Sequence, residues 1–267
     1  GIEVNGVLDS NEAQLTLHKD TPIFDGPYSN QCYQERIKEA LDHYRRLTDS
    51  GAKLATDWDR LVFHLPYAFQ ARRMFGEIFW QEMQHSDQKE ELAEQIGLPL
   101  PKRAAFEDET TYQKAMVGFW RAVTKTALYR QFVGERIAPA EEVSGLVGNV
   151  YAGSVFLALM GTLEHGLRQN TLEQEATLGF FAYGSGSKSK VFKAQLQAGW
   201  KAVVEGFGLL EHLQKPTAIG YATYEQLHRG SRTQAVDRDG QHFYQTAMDA
   251  DGKRAYHIPT AKSLATA

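Results

Sequence analysis

Apolar residues recur along this chain with two different spacings, and each change of spacing marks an element. Ala13, Leu15 and Leu17 alternate with Gln14, Thr16 and His18, the period of a half-exposed strand that turns His18 toward water. Asp25-Gly26-Pro27 is a turn signal, and Ser29 or Asn30 can cap a helix beginning there. That helix carries Tyr33, Ile37, Leu41, Tyr44 and Leu47 on one stripe and ends near Gly51. Leu61-Val62-Phe63 is a short, partly branched apolar run that reads as a buried strand. His64 falls at its end, and Pro66, which has no N–H to donate, stops further sheet pairing. A second helix begins at once, with Phe69, Met74, Phe75, Ile78, Phe79 and Met83 forming a core stripe.

The stretch 85–137 differs in character. Asp87 to Gln95 is charged and helix-favouring, Gly97 to Pro101 is a break, and Met116, Phe119, Trp120, Val123 and Leu128 pattern a helix over Thr110 to Val133. Gly148-Asn149-Val150-Tyr151 then opens the most apolar helix of the chain, Ala152 to Leu163, closed by Glu164, His165 and Gly166. Apolar nearly all round, it is expected to be buried on every side, with Asn149 at an N-terminus suited to an anion or a developing oxyanion. Leu178 to Tyr183 reads as a second buried strand, and the glycine-serine loop Gly184 to Lys190 after it lacks the order of a phosphate-binding P-loop. Its glycines do allow a ligand close to the backbone. Val191 to Leu196 is the return strand, Trp200 to Leu213 and Tyr221 to Leu227 are helical, and Phe243 to Met248 with Lys253 to Ile258 forms a hairpin. Helices interleaved with buried strands make this an α/β chain, and in that class ligands bind at the carboxyl ends of strands, where His64 lies.

Composition narrows the function classes. At 267 residues, 42% hydrophobic and 23% charged, the chain can bury a substantial core. A formal net charge of -4 gives no reason to expect nucleic acid, and no apolar run reaches the roughly 18 residues that cross a bilayer. The N-terminus lacks the basic-then-apolar order of a signal peptide, so a cytoplasmic protein is expected. The one cysteine, Cys32, excludes an internal disulfide, and near a helix start with no motif around it is expected to be structural. His212, His228, His242 and His257 are too scattered for a metal site. The sequence opens at Gly1 and first reaches methionine at Met74, which reads as a piece of a longer or processed chain.

Three segments carry a resemblance: Val62-Phe63-His64-Leu65-Pro66-Tyr67, Gly148-Asn149-Val150-Tyr151-Ala152-Gly153-Ser154 and Phe181-Ala182-Tyr183-Gly184-Ser185-Gly186-Ser187. In order and separation they resemble the hydroxymethylglutaryl-CoA synthase family, with weaker similarity from Phe24-Asp25-Gly26 through Cys32-Tyr33 to the terminal hairpin. The resemblance implies the C-terminal half of a thiolase-like fold, a mixed β-sheet layered with helices, spanning residues 1–267 with a helical insertion at 85–137. It implies an acyltransferase of the mevalonate route to isoprenoids that condenses acetyl-CoA with acetoacetyl-CoA, with no cofactor and no metal. His64 is then the catalytic group that orients the acetoacetyl unit, while Asn149 and the Gly184-Ser185-Gly186 loop hold the acyl-thioester with Tyr151 nearby. Where the family tends to place a basic residue after Pro66-Tyr67 this chain has Phe69, so Arg72 and Arg73 become the candidates for the CoA phosphates. The family's nucleophilic cysteine and general-acid glutamate lie in an N-terminal half outside these residues. The implied partners are therefore that half, acyl-CoA substrates and a second copy in a homodimer of the complete enzyme, and the chain alone is expected to be inactive. Two other possibilities stand beside this one: a β-branching relative acting on carrier-protein-bound polyketides, and a noncatalytic half-fold that binds a partner.

Overall fold

A parallel pair of strands cannot be closed by a tight turn, and helices fill the crossover between β1 (Arg60–Phe63) and β2 (Thr177–Gly184). The computed structural model describes residues 25–48, 51, 53–184, 186–232, 236 and 244–257. The strand expected over 13–18, with His18, and Ser185 lie outside the described residues. The described chain divides into two compact units, Gly1–Leu213 and Gln214–Ala267.

The first unit opens with α1 (Gly26–Leu47), whose Tyr33, Ile37 and Leu41 are buried as the stripe predicts. The cap is Asp25, whose side chain accepts from the Tyr28 N–H at 3.0 Å, so the expected turn is the helix start and Ser29 and Asn30 lie inside the first two turns. Pro27 fits there because a first-turn N–H has no intrahelical partner to lose. Cys32 consequently sits in the second turn rather than at the helix start.

After β1 (Arg60–Phe63) the expected single helix is two, α2 (Gln70–Met74) and α3 (Gly76–Met83), with Phe75 ending one and starting the other. Its ring is held by Phe63 at 5.6 Å and Phe132 at 5.6 Å, so core packing sets the break. Within 85–137 lie α4 (Lys89–Ile96), α5 (Glu109–Val123) and α6 (Ala127–Arg136). The long helix expected over Thr110 to Val133 is interrupted because Thr126 turns back and accepts the Tyr129 N–H at 3.2 Å, a new cap. Buried Leu92, Phe119, Val123, Tyr129 and Phe132 join the same core cluster as the sheet.

Helix α7 (Ala138–Val147) leads through a single 3-10 turn at Tyr151–Gly153 into α8 (Ser154–Gln169). Helix α8 starts two residues later than expected, passes Gly166, and is not buried on every side: Phe156 is 68% exposed. Its buried residues are mostly small, Ser154, Ala158, Gly161, Thr162 and Gly166 beside Glu164, and at Gly161 α7 packs close. A Cβ on Gly161 would lie 2.8 Å from the Val143 Cγ2 atom.

β2 (Thr177–Gly184) pairs parallel with β1, Val62 opposite Phe180 and Phe63 opposite Phe181, and antiparallel with β3 (Lys188–Gln195). The sheet order β1-β2-β3 is mixed, as expected of this fold class. Phe63 and Phe181 stack at 4.4 Å in its centre, and Trp58 lies 5.9 Å from Phe181. The expected helix over 200–213 is again two, α9 (Trp200–Glu205) and α10 (Leu209–Leu213), parted at Gly206 and Gly208. In the second unit, α11 (Tyr221–His228) precedes the hairpin of β4 (Tyr244–Met248) and β5 (Arg254–His257), which turns through Asp249–Gly252 as predicted.

Gly179 lies under Trp58, and an added Cβ would fall well inside van der Waals contact of the indole. Trp58 is buried and cannot swing away, so Gly179→Ala is expected to cost about 1–3 kcal/mol, read as a lower denaturation midpoint at unchanged m-value in urea.

Candidate active site around His64

The end of β1 is held at three polar backbone groups, the His64 N–H and C=O and the Leu65 N–H. The His64 N–H donates to the Phe181 carbonyl at 2.8 Å, which carries the parallel ladder one residue past the strand. Its carbonyl accepts the Tyr33 hydroxyl of α1 at 2.9 Å. The next N–H, of Leu65, donates to Ser154 Oγ at 3.1 Å, and the same Oγ lies 2.7 Å from His64 Nδ1. Tyr183, on β2, places its ring 5.0 Å from Tyr33 and 6.1 Å from the imidazole. Burial raises the Tyr183 phenol, with Cys32 adding to the effect.

The imidazole is half-buried, and that desolvation lowers its pKa below the ordinary 6.5. At neutral pH it is therefore uncharged, and among the described residues no protein group bonds Nε2. A neutral ring tied at one nitrogen with the other free can offer a donor or acceptor to a ligand.

Three separated segments meet at this point: the end of β1, the start of α8 and the end of β2. Each belongs to one of the segments that carried the resemblance. The particular residues differ in part. Asn149 is exposed and its Oδ1 accepts the Tyr151 N–H at 2.8 Å, so it shapes the approach to α8 and does not cap it. Tyr151 adopts a positive φ of 49° and is 79% exposed. Neither hydrogen-bonds His64 among the described residues. Gly184 and Gly186 are exposed at the turn after Tyr183. Sequence reasoning missed Ser154, Tyr33 and Tyr183 as neighbours of His64, although Ser154 had a legible signal as the polar residue that closes the Gly148–Ser154 segment against an apolar helix.

Arg72 and Arg73 line a different hollow, a cleft of about 750 Å³ that they share with Arg121 of α5 and Arg130 of α6, walled by Trp120 and Tyr129. Among the described residues no acidic side chain lines it. Arg72 is committed elsewhere: its Nε donates to Glu141 Oε2 at 2.7 Å and its Nη2 bonds the same oxygen, while its guanidinium lies 4.8 Å over the Phe69 ring. Burial pushes the Glu141 carboxyl up and the Arg72 bond pulls it back. Arg73 rests 5.6 Å over Tyr67. The arginines of α5 and α6 could not be found from sequence, because nothing along the chain pairs them with Arg72. Among the described residues no group of three or more His, Cys, Asp or Glu could hold a metal, and no helix is long and apolar enough to cross a membrane.

This arrangement of mixed sheet, flanking helices and strand-end histidine is the C-terminal half of a thiolase-like α/β fold. It superimposes with a TM-score of 0.62 on a solved structure titled "MvaS in complex with 3-hydroxy-3-methylglutaryl coenzyme A", over 90% of this chain and 53% of that one at 20% identity. The Bacillus subtilis HMG-CoA synthase PksG gives 0.55 over 80% of this chain and 42% of that chain at 19% identity. Residues 14–215 match the family described as "Hydroxymethylglutaryl-coenzyme A synthase C terminal", and the chain belongs to that family. The hydroxymethylglutaryl-CoA synthase of Haloferax volcanii is 28% identical over 223 residues, 84% of this chain and 49% of the relative. The enzyme of Enterococcus faecalis is 27% identical over 207 residues, 77% of this chain and 41% of the relative. The chain thus spans about half the length of the curated relatives it matches.

A lowered histidine pKa carries a pH dependence of stability. The unfolded chain binds a proton near 6.5 that folded His64 refuses, so stability is full above that value and is lost as pH falls toward the folded pKa. Urea midpoints measured from pH 7.5 down to 5.5 are expected to fall more steeply for the wild type than for His64→Gln. Equal slopes would mean that the ring is not desolvated.

Proposed function

We propose that this chain is the C-terminal half of a hydroxymethylglutaryl-CoA synthase that acts in the cytoplasm, in the mevalonate route to isoprenoids. The single observation that supports this most is the meeting of His64, Ser154 and Tyr183, one from each family-like segment, around a neutral imidazole with a free nitrogen. Acetyl-CoA, acetoacetyl-CoA and water give HMG-CoA and CoA. A cysteine of the N-terminal half takes the acetyl group as a thioester and releases the single CoA of the balance as a thiol. The acetyl methyl loses a proton, its carbanion forms a carbon–carbon bond to the acetoacetyl ketone, and water then cleaves the enzyme thioester. Negative charge gathers on the ketone oxygen during attack, and a fixed N–H donor aimed there stabilises that charge most. His64 is that donor. Its low pKa suits the role, since a neutral ring keeps its donor at working pH without giving up a proton.

Asn149, Tyr151, Gly184, Ser185 and Gly186 hold the thioester arm, and the arginine cleft takes the CoA phosphates. Within it Arg73, Arg121 and Arg130 are better placed than Arg72, which Glu141 already engages. The complete enzyme pairs this half with the cysteine-bearing one and assembles as a homodimer. Leu146, Val147, Val150 and Phe156 are exposed apolar side chains that such a partner could cover.

The test joins this chain to a matching N-terminal half and follows CoA release from acetyl-CoA and acetoacetyl-CoA. The chain alone is expected to show no turnover. In the complete enzyme His64→Ala is expected to lower kcat by about 10²–10³, the usual loss on removing one oxyanion donor. Arg73→Ala is expected to raise KM for acetoacetyl-CoA about tenfold with kcat little changed, the loss of one charge-assisted contact. Turnover with an acetoacetyl carrier protein and none with acetoacetyl-CoA would transfer the assignment to a β-branching synthase. Equal turnover by wild type and His64→Ala would remove His64 from the chemistry.

A further inference from the structure

We propose that Ser154 is a positioning residue that holds His64 in the tautomer protonated at Nε2, so that the site presents an N–H donor rather than a lone pair. The inference deepens the reading of His64 as a donor, and rests on it only for what that N–H meets.

Protons and lone pairs around the serine oxygen decide the tautomer. Ser154 is the first residue of α8 and is 1% exposed, so no bulk water is available to its hydroxyl. Its oxygen already accepts the Leu65 N–H. The hydroxyl's single proton then needs an acceptor, and among the described residues the one within reach is His64 Nδ1. If Nδ1 carried a proton it would donate to Oγ, and the serine O–H would be left buried without a partner, which folded proteins avoid. Nδ1 is therefore the acceptor, and the ring proton of the neutral imidazole lies on Nε2.

The surrounding elements reinforce this. The N–H and C=O of His64 are fixed by Phe181 and Tyr33, so the backbone from which the ring reaches Ser154 Oγ is held in place. The titratable and charged groups gathered about Tyr33 and Tyr183 beside it are Cys32 and Arg36 on α1 and Tyr67 in the loop after β1, while α8 contributes the non-titrating serine. Among the described residues no carboxylate competes for Nδ1 or draws a second proton onto the ring. Ser154 thus sets the tautomer, and burial keeps the ring neutral.

Two-bond ¹H–¹⁵N correlation spectra of the ¹⁵N-labelled chain read the tautomer directly. The His64 signals, one set of nine, are identified by their loss in His64→Gln. In the wild type Nδ1 is expected to resonate as an unprotonated nitrogen and Nε2 as a protonated one. A protonated Nδ1 in the wild type would overturn the assignment. Ser154→Ala is expected to give a mixture of both tautomers and a midpoint about 1 pH unit higher, since one hydrogen bond to the neutral ring is lost. Ser154→Thr keeps the hydroxyl and is expected to restore the wild-type pattern. An unchanged tautomer in Ser154→Ala would also overturn it. Should that variant not fold, because Leu65 loses its acceptor, the wild-type and Ser154→Thr spectra still decide. The measurement needs no turnover, so a wrong tautomer refutes the role of Ser154 while leaving the condensation assay to judge the wider function.

Discussion

One hydrogen bond, from the His64 N–H to the Phe181 carbonyl, determines where the strand-end imidazole of this half-fold sits. It extends a parallel ladder beyond the last residue of β1, so His64 is placed by the sheet and not by a loop. Below it Phe63 stacks on Phe181 at 4.4 Å, and that packed pair keeps the ladder in register. A one-residue slip would turn His64 to the opposite face and break the stack, so register and site geometry are a single constraint.

That anchor fixes where the other two segments can meet it. β2 continues two residues past Phe181 to Tyr183, which brings a phenol beside the imidazole. Helix α8 starts where its first side chain can bind both the Leu65 N–H and Nδ1. The small residues of α8 let α7 approach closely, and this packing keeps the helix start against the sheet. The result is a polar point in an apolar setting. Desolvation there favours the neutral imidazole.

The arginine cleft shows a different use of the same framework. The helices at 85–137 bury Phe119, Tyr129 and Phe132 in the common core and turn Arg121 and Arg130 toward Arg72 and Arg73. Glu141, 2% exposed on its side chain, ties Arg72 down, and this ion pair orders one wall of the cleft. A buried carboxylate that lost its arginine would be costly, so Arg72 serves the fold as well as any ligand.

Much was legible from residue order alone. The apolar run at 61–63 with histidine and proline after it specified a strand ending in a titratable group, because a ring without an N–H cannot extend a sheet. The stripe from Tyr33 to Leu41 specified α1, and the three family-like segments specified the fold class and the family. Tertiary structure decided the rest. Core packing at Phe75 and a threonine cap at Thr126 cut two expected helices in half, since contacts and caps outweigh a continuous apolar period. Exposure of Phe156 reversed the expectation of a fully buried α8, because what a helix face meets depends on its neighbours and not on its own composition. The placing of Ser154 against Nδ1, 90 residues away along the chain, required the fold, for hydrogen bonding depends on distance in space and leaves no period in sequence.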